Sequence, residues 1–104
     1  MTEEYPAAYQ TFTEKYRAIW EAYDQLGAAV HTHGPLDEKT RELVKLGIAV
    51  GARQEGAVHS HTRKALAAGA SPDEIRHAVL LAIPTIGFPS MMAALTWVED
   101  ELED

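Results

Sequence analysis

The chain has 104 residues and a formal net charge of −7 at pH 7, with 46% hydrophobic and 24% charged residues. This length predicts one domain over residues 1–104, and the composition is that of an ordinary soluble globular protein. The absence of cysteine excludes disulfides, thiolate metal sites and thiol chemistry by the chain itself. The negative charge argues against nucleic acid or an anionic membrane as a partner. No apolar run reaches the roughly 18 residues of a membrane span and no signal peptide opens the chain, so we expect a cytoplasmic protein.

The first predicted element is a long amphipathic helix near the start of the chain. Its apolar side chains recur at steps of three and four residues. They are Tyr5, Tyr9, Phe12, Tyr16, Ile19, Trp20 and Tyr23. Gly27 and the segment 31–35, which contains two histidines, a glycine and a proline, are predicted to end this helix and form a linker.

The second predicted helix begins at Asp37 or a neighbour and is apolar almost all the way round from Leu43 to Ala52. Such a helix must be covered on every side. Gly47 and Gly51, four residues apart, leave a smooth strip that another helix can approach closely. A small chain has too few helices to cover it completely, so we expect a subunit partner and therefore a homo-oligomer.

Three more helices complete an all-α fold of about five helices. The third covers about 55–68 and stops at Gly69, and the fourth runs to about Ile83. Residues 71–74 combine an N-cap Ser, a Pro at the first helical position and a Glu three residues after the cap. Two prolines and a glycine in 84–89 break the chain before the last helix. The apolar stripe of that helix consists of Met91, Leu95, Val98 and Leu102.

The spacing of residues from Glu42 to His61 is informative about function. Eleven residues separate Glu42 from Gln54, two separate Gln54 from Ala57, and three separate Ala57 from His61. With cysteines at positions 54 and 57, this would be the Glu, Cys-x-x-Cys, His signature of the alkylhydroperoxidase D proteins. The stretch therefore resembles the carboxymuconolactone decarboxylase superfamily, to which those proteins belong.

The resemblance covers about residues 37–97. After His61 come Ala65-Leu66, Gly69-Ala70 and the capped helix start at 71–75 in the family's order, and Gly87-Phe88-Pro89 also matches. It implies an alkylhydroperoxidase D-like helical bundle, assembled as a trimer or a hexameric ring with pockets between subunits. In the redox relatives the Glu and His relay protons to and from the cysteines. Peroxide reduction through thiols does not follow for this chain, because both thiols are absent.

His61 and Glu42 are the candidate catalytic residues. His61 is predicted to lie on an apolar stripe with Ala57, Ala65 and Ala68, whose small side chains leave a hollow beside the imidazole. An imidazole there can act as a general acid or base, and the alternative is a core histidine satisfied by one hydrogen bond. The resemblance makes Glu42 its partner, whereas the alternative role of Glu42 is to stabilise the dipole of its helix.

Arg53, Gln54, His59 and Arg63 are the candidate ligand-binding residues. Gln54 can hydrogen-bond a ligand near the start of the third helix, and the two arginines can hold carboxylates. The resemblance to gamma-carboxymuconolactone decarboxylase, which removes CO2 from a lactone diacid without a cysteine pair, suggests such a ligand. The residues around Arg53 do not clearly follow that enzyme's pattern, so the lactone itself is not predicted.

The five histidines raise the question of a metal site. His59 and His61 point about 160 degrees apart on a regular helix, so metal binding would need ligands from other helices. His31, His33 and His77 are the remaining histidines, and nothing in the sequence brings them together. We therefore predict no metal and no cofactor.

Two classes of function stay open. The first is a cofactor-free enzyme, a decarboxylase or isomerase that acts on a small carboxylated or carbonyl compound through His61 and Glu42. The second is a non-catalytic oligomer that binds a small ligand or serves as an interaction module on the same scaffold.

Overall fold

The computed structural model describes residues 6–102, and the predicted stripe residue Tyr5 lies outside them. Within this range the chain is helical without any strand, which confirms the all-α class. The helical segments are α1 (Ala7–Lys15), α2 (Arg17–Thr32), α3 (Glu38–Gly51), α4 (Glu55–Ala67), α5 (Pro72–Leu80), α6 (Ile83–Ile86) and α7 (Phe88–Glu99). The predicted number of about five is too low, because the first helix is divided and a short helix precedes the last one.

The described residues form two compact units, one ending at Pro35 and the other beginning at Leu36. In the first unit, α1 and α2 are separated at Tyr16, whose backbone (φ −118°, ψ 52°) is not helical. The helix ends within the predicted segment 31–35, but the prediction that Gly27 ends it was wrong, since α2 continues through Gly27 to Thr32. A glycine inside a helix costs only about 1 kcal/mol relative to alanine, which the rest of α2 can offset. The single domain predicted over residues 1–104 stays a prediction.

The apolar stripe of the first unit is largely exposed. Trp20 Nε1 donates a hydrogen bond to the Tyr9 hydroxyl at 3.0 Å and so ties α2 to α1. Neither helix contains a buried residue. The exposed large apolar side chains are Tyr9, Phe12, Tyr16, Ile19, Tyr23, Leu26 and Val30.

The second unit contains the hydrophobic core. Its helices α3 and α4 form a hairpin through the short turn 52–54, and α5 and α7 pack against that hairpin. Leu46, Val58, Ile75 and Met91 are the largest apolar side chains of this core and are essentially inaccessible to solvent. Because α3, α4, α5 and α7 all contribute to one core, α3 and α4 hold a fixed relative position.

The helix boundaries of the second unit follow local signals. Asp37 caps α3 by accepting a hydrogen bond from the Thr40 N–H at 2.8 Å. Ser71 and Glu74 form the reciprocal capping box of α5, as predicted. The predicted end of this helix at Ile83 was wrong, since α5 ends at Leu80 and α6 follows as a separate turn. Proline has no N–H to donate, so Pro84 cannot continue the hydrogen-bond ladder of α5.

Within the second unit, helix α3 is covered on one face only. Leu46 and Val50 are buried, whereas Val44 and Ile48 are 47% and 65% exposed. A Cβ added at Gly47 or Gly51 would meet no atom within 4 Å, so the glycine strip is open. No helix in the part of the chain that the structure describes is long and apolar enough to cross a membrane.

Candidate functional site

The α3–α4 hairpin brings Glu42 and His61 together. His61 Nδ1 lies 3.0 Å from Glu42 Oε1. The side chains are 17% and 8% exposed, respectively, so the pair lies at the edge of the core with limited access to water. Among residues 6–102, the His61 side chain makes no other hydrogen bond, and its Nε2 has no partner.

Burial lowers the pKa of His61 below its usual value of 6.5. The hydrogen bond and the negative charge of Glu42 act in the opposite direction, and Lys45 and Lys64 add to the lowering. The imidazole is therefore mainly neutral at neutral pH. Since a carboxylate can only accept, the neutral imidazole donates its Nδ1–H to Glu42 and keeps a lone pair on Nε2. This is the protonation state of a general base.

Two lysines near this pair were missed in the sequence analysis. Lys45 Nζ lies 3.8 Å from Glu42 Oε2, one helical turn further along α3. Lys64 follows His61 by three residues on α4 and its charge acts on the imidazole. The spacing of three residues from each member of the pair was the signal that could have identified them. Both give the site positive charge.

The alanines predicted around His61 differ in burial. Ala65 is fully buried and belongs to the hydrophobic core. Ala57 and Ala68 are only partly buried. The hollow beside the imidazole stays a prediction.

His59 and Arg63 lie in a different cluster from His61. His59 Nδ1 is 2.8 Å from Glu101 Oε2, and Arg63 Nη1 is 3.2 Å from Glu101 Oε1. His59 Nε2 also lies 3.5 Å from Glu55 Oε2, one turn earlier on α4. These contacts link α4 to the segment after α7. The structure therefore does not bring these two candidate ligand-binding residues to the Glu42–His61 pair.

Arg53 and Gln54 form the turn between α3 and α4. Arg53 has a left-handed backbone (φ 56°) and its guanidinium donates a hydrogen bond to Ser90 Oγ at the start of α7. Gln54 is the N-cap residue of α4, but its side chain makes no capping hydrogen bond. A pocket of about 260 Å³ adjoins Arg53 and Ser90.

A larger groove, of about 550 Å³, lies along another face of α3. Leu43, Val44 and Gly47 line it from α3, and Leu81 and Ile86 line it from the opposite side. Neither Glu42 nor His61 is among its lining residues. Within residues 6–102, no three His, Asp or Glu side chains are grouped so that they could hold a metal ion.

The fold and this site together define an all-helical protein with an imidazole–carboxylate pair on a central helical hairpin. The sequence pattern of the carboxymuconolactone decarboxylase family matches residues 16–100. The chain belongs to this family, as the sequence analysis predicted. It is a member without cysteine.

The chain is also similar to two relatives and, in its fold, to one solved structure. The chain is 36% identical over 69 residues to the nitrosuccinic acid decarboxylase npaB of Metarhizium robertsii, which covers 66% of the chain and 48% of that protein. It is 40% identical over 52 residues to an uncharacterized protein of Haemophilus influenzae, covering 50% of the chain and 46% of that protein. The chain thus spans about half the length of these two relatives. The crystal structure of apo-lpg0406, a carboxymuconolactone decarboxylase family protein from Legionella pneumophila, superposes with a TM-score of 0.80 at 24% identity, over 90% of this chain and 84% of that one.

Proposed function

We propose that the chain is a cofactor-free enzyme that transfers a proton to or from carbon in a small carboxylated compound, with His61 as the acid–base group. The observation that supports this proposal is the 3.0 Å contact between His61 Nδ1 and Glu42 Oε1. Glu42 fixes the tautomer and stabilises the imidazolium that forms when Nε2 takes up a proton. The carboxylate thereby lets the imidazole act as a base or, once it has taken up a proton, as an acid.

Decarboxylation is the reaction that we favour. The C–C bond to the substrate carboxylate breaks, CO2 leaves, and the electron pair stays on the remaining carbon. His61, which has taken up a proton from water at Nε2, gives that proton to the carbon and returns to its neutral form. The name of the M. robertsii relative, a nitrosuccinic acid decarboxylase, supports this choice of reaction. The neighbouring charges of Lys45 and Lys64 fit a substrate with carboxylate groups.

The proposal is tested with nitrosuccinic acid and other small carboxylic acids as candidate substrates. CO2 release and deuterium incorporation from D2O into the product are measured for wild type and for the His61→Gln and Glu42→Gln variants. The matched control is His33→Gln, which removes an exposed histidine at the end of α2. Turnover that is lost in His61→Gln and retained in His33→Gln supports the proposal. Equal turnover in wild type and His61→Gln would refute it.

A non-catalytic ligand-binding protein is the second candidate, and the 550 Å³ groove favours it. This groove is lined mainly by apolar residues of α3, α5 and α6, as are many small-molecule sites, and it lies apart from the proposed acid–base pair. Ala78→Trp would fill the groove from α5. A ligand whose thermal shift is abolished by Ala78→Trp but unchanged in His61→Gln would support binding without catalysis.

We also propose that the protein is a homo-oligomer, a trimer or hexamer, with small molecules rather than nucleic acid as ligands. The exposed apolar side chains of α3 support this proposal, because Ile48 and Val44 would otherwise face water. Light scattering coupled to gel filtration gives the mass directly. Ile48→Glu should lower that mass while the helical circular dichroism is retained, and an unchanged mass would show that Ile48 is not at an interface.

A further inference from the structure

We propose that the pocket of about 260 Å³ between the α3–α4 turn and α7 is a second ligand site, which binds a small molecule with one carboxylate and an apolar or aromatic body. Its lining residues are Arg53, Pro89, Ser90, Ala93 and Trp97. None of them belongs to the proposed proton-transfer site, so this inference does not depend on the function proposed above.

Arg53 supplies the charge of this pocket. Its guanidinium donates to Ser90 Oγ, and Ser90 is only 9% exposed. Among residues 6–102, no carboxylate lies within ion-pair distance of Arg53. Arg76 and Arg63, by contrast, pair with Glu99 and Glu101. A guanidinium has five N–H donors in a planar fork that matches a carboxylate, and one serine satisfies only part of them.

The backbone conformation of Arg53 indicates that the turn does not require an arginine at this position. Helices α3 and α4 end in the same way, with a residue of positive φ whose successor donates back to a carbonyl five residues earlier. At the end of α4 the residue is Gly69 (φ 98°), and Ala70 N–H donates to Ala65 O. At the end of α3 it is Arg53, and the next N–H donates to Ala49 O. Glycine is the residue that such an end favours, and a side chain here disfavours the turn.

The remaining walls define the rest of the ligand. Trp97 presents an indole, and Pro89 and Ala93 are apolar, so the part of the ligand away from Arg53 must be apolar. An aromatic ring would stack on the indole. The volume is below the roughly 300–1,000 Å³ of sites for drug-sized ligands, which restricts the ligand to a small acid. The geometry fits a benzoate-like molecule with its carboxylate on Arg53.

Benzoate is the probe, and benzamide is its neutral control of the same shape. Binding to the full chain is followed by two-dimensional NMR through the indole N–H signals of Trp97 and Trp20. The Trp20→Phe variant, which lacks one of the two signals, shows which signal belongs to which tryptophan. We expect benzoate to shift the Trp97 signal saturably, with the Trp20 signal as the internal reference. Benzamide should bind at least about tenfold more weakly, the change expected when a charge-assisted hydrogen bond is lost.

Arg53→Gly is the informative variant because glycine favours the left-handed turn. It should keep the fold, as judged by circular dichroism, and weaken benzoate binding at least about tenfold. Arg53→Gln, which keeps a long side chain without charge, should weaken it similarly and tests the proposal if the glycine variant does not fold. The proposal would be overturned if benzoate bound wild type and either folded variant with equal affinity. It would also be overturned if benzoate and benzamide bound wild type with equal affinity.

Discussion

Glu42 on α3 and His61 on α4 are joined by a 3.0 Å hydrogen bond between Oε1 and Nδ1, at the edge of a core that both helices share. Two opposite effects act on the imidazole. Burial disfavours the imidazolium, while the carboxylate favours it, and the pKa of His61 falls below its usual value because burial is the larger effect. His61 is therefore a neutral base, and the Glu42 carboxylate stabilises its imidazolium once the imidazole takes up a proton.

Glu42→Gln should lower the pKa of His61 further. The substitution removes the negative charge that opposes the effect of burial, while the amide oxygen can still accept the Nδ1–H bond. The Cε1–H chemical shift of His61, titrated by NMR in wild type and variant, measures the change. A higher pKa of His61 in the variant would mean that Glu42 does not stabilise the imidazolium.

The low pKa of His61 also predicts how stability depends on pH. The unfolded chain, with an ordinary histidine pKa near 6.5, takes up the proton at higher pH than the folded chain. The contribution of His61 to stability is thus complete above about pH 6.5 and is lost as the pH falls through the lower folded pKa. Urea unfolding of His61→Gln across this window should show a shallower decline towards acid than wild type. A wild-type slope in His61→Gln would contradict the prediction.

The local parts of this fold could be predicted from the sequence, and the long-range contacts could not. The capping box of Ser71 and Glu74 lies within four residues, so its signal is complete in the sequence. The contact of His59 with Glu101 joins residues 42 positions apart and depends on where α7 ends. No spacing pattern identifies such a contact.

The candidate site was predicted in part for the same reason. The spacing of Glu42 and His61 singled out both residues, and the short turn between α3 and α4 lets their side chains meet. The left-handed conformation of Arg53 could not be predicted, because glycine is the residue that signals it. The groove beside α3 depends on how α5 and α6 pack, although Gly47 marked that face as open to a neighbour.

The pH dependence of turnover will distinguish the two proton-transfer reactions. Decarboxylation needs the His61 imidazolium as proton donor, so kcat/KM should fall as the pH rises above the pKa of His61. Isomerisation begins with proton abstraction by the neutral imidazole, so kcat/KM should instead rise through the same pKa. The inflection should move to lower pH in Glu42→Gln in either case. If the kcat/KM profile has no inflection at the pKa of His61 measured by NMR, this residue is excluded as the acid–base group.

Ser71→Ala should destabilise the second unit by about 1 kcal/mol, the typical cost of losing an N-cap side chain. Ser71 Oγ accepts from the Glu74 N–H at 3.0 Å, and the Glu74 carboxylate accepts from the Ser71 N–H and also from Lys39 Nζ. The variant keeps the Glu74 contacts and removes only the acceptor at the cap. Urea unfolding measures the loss, with Thr96→Ala as the control. Thr96 is an exposed α7 residue whose hydroxyl bonds within its own helix, so its removal should change the free energy of unfolding by about 0.5 kcal/mol or less.

Gly69→Ala should lower the free energy of unfolding by about 1 kcal/mol or more because of backbone strain. Gly69 has φ 98°, which an L-residue rarely adopts, while a Cβ at this position would meet no atom within 4 Å. The cost therefore reports the backbone alone. Gly56→Ala is the matched control, because Gly56 lies within α4 with equal space for a Cβ and without a positive φ. It should raise the free energy of unfolding by a few tenths of a kcal/mol to about 1 kcal/mol, since alanine is the better helix former. Chemical denaturation of the two variants in parallel should thus give changes of opposite sign, and a Gly69→Ala variant as stable as wild type would show that the α4 turn relaxes to accommodate a side chain.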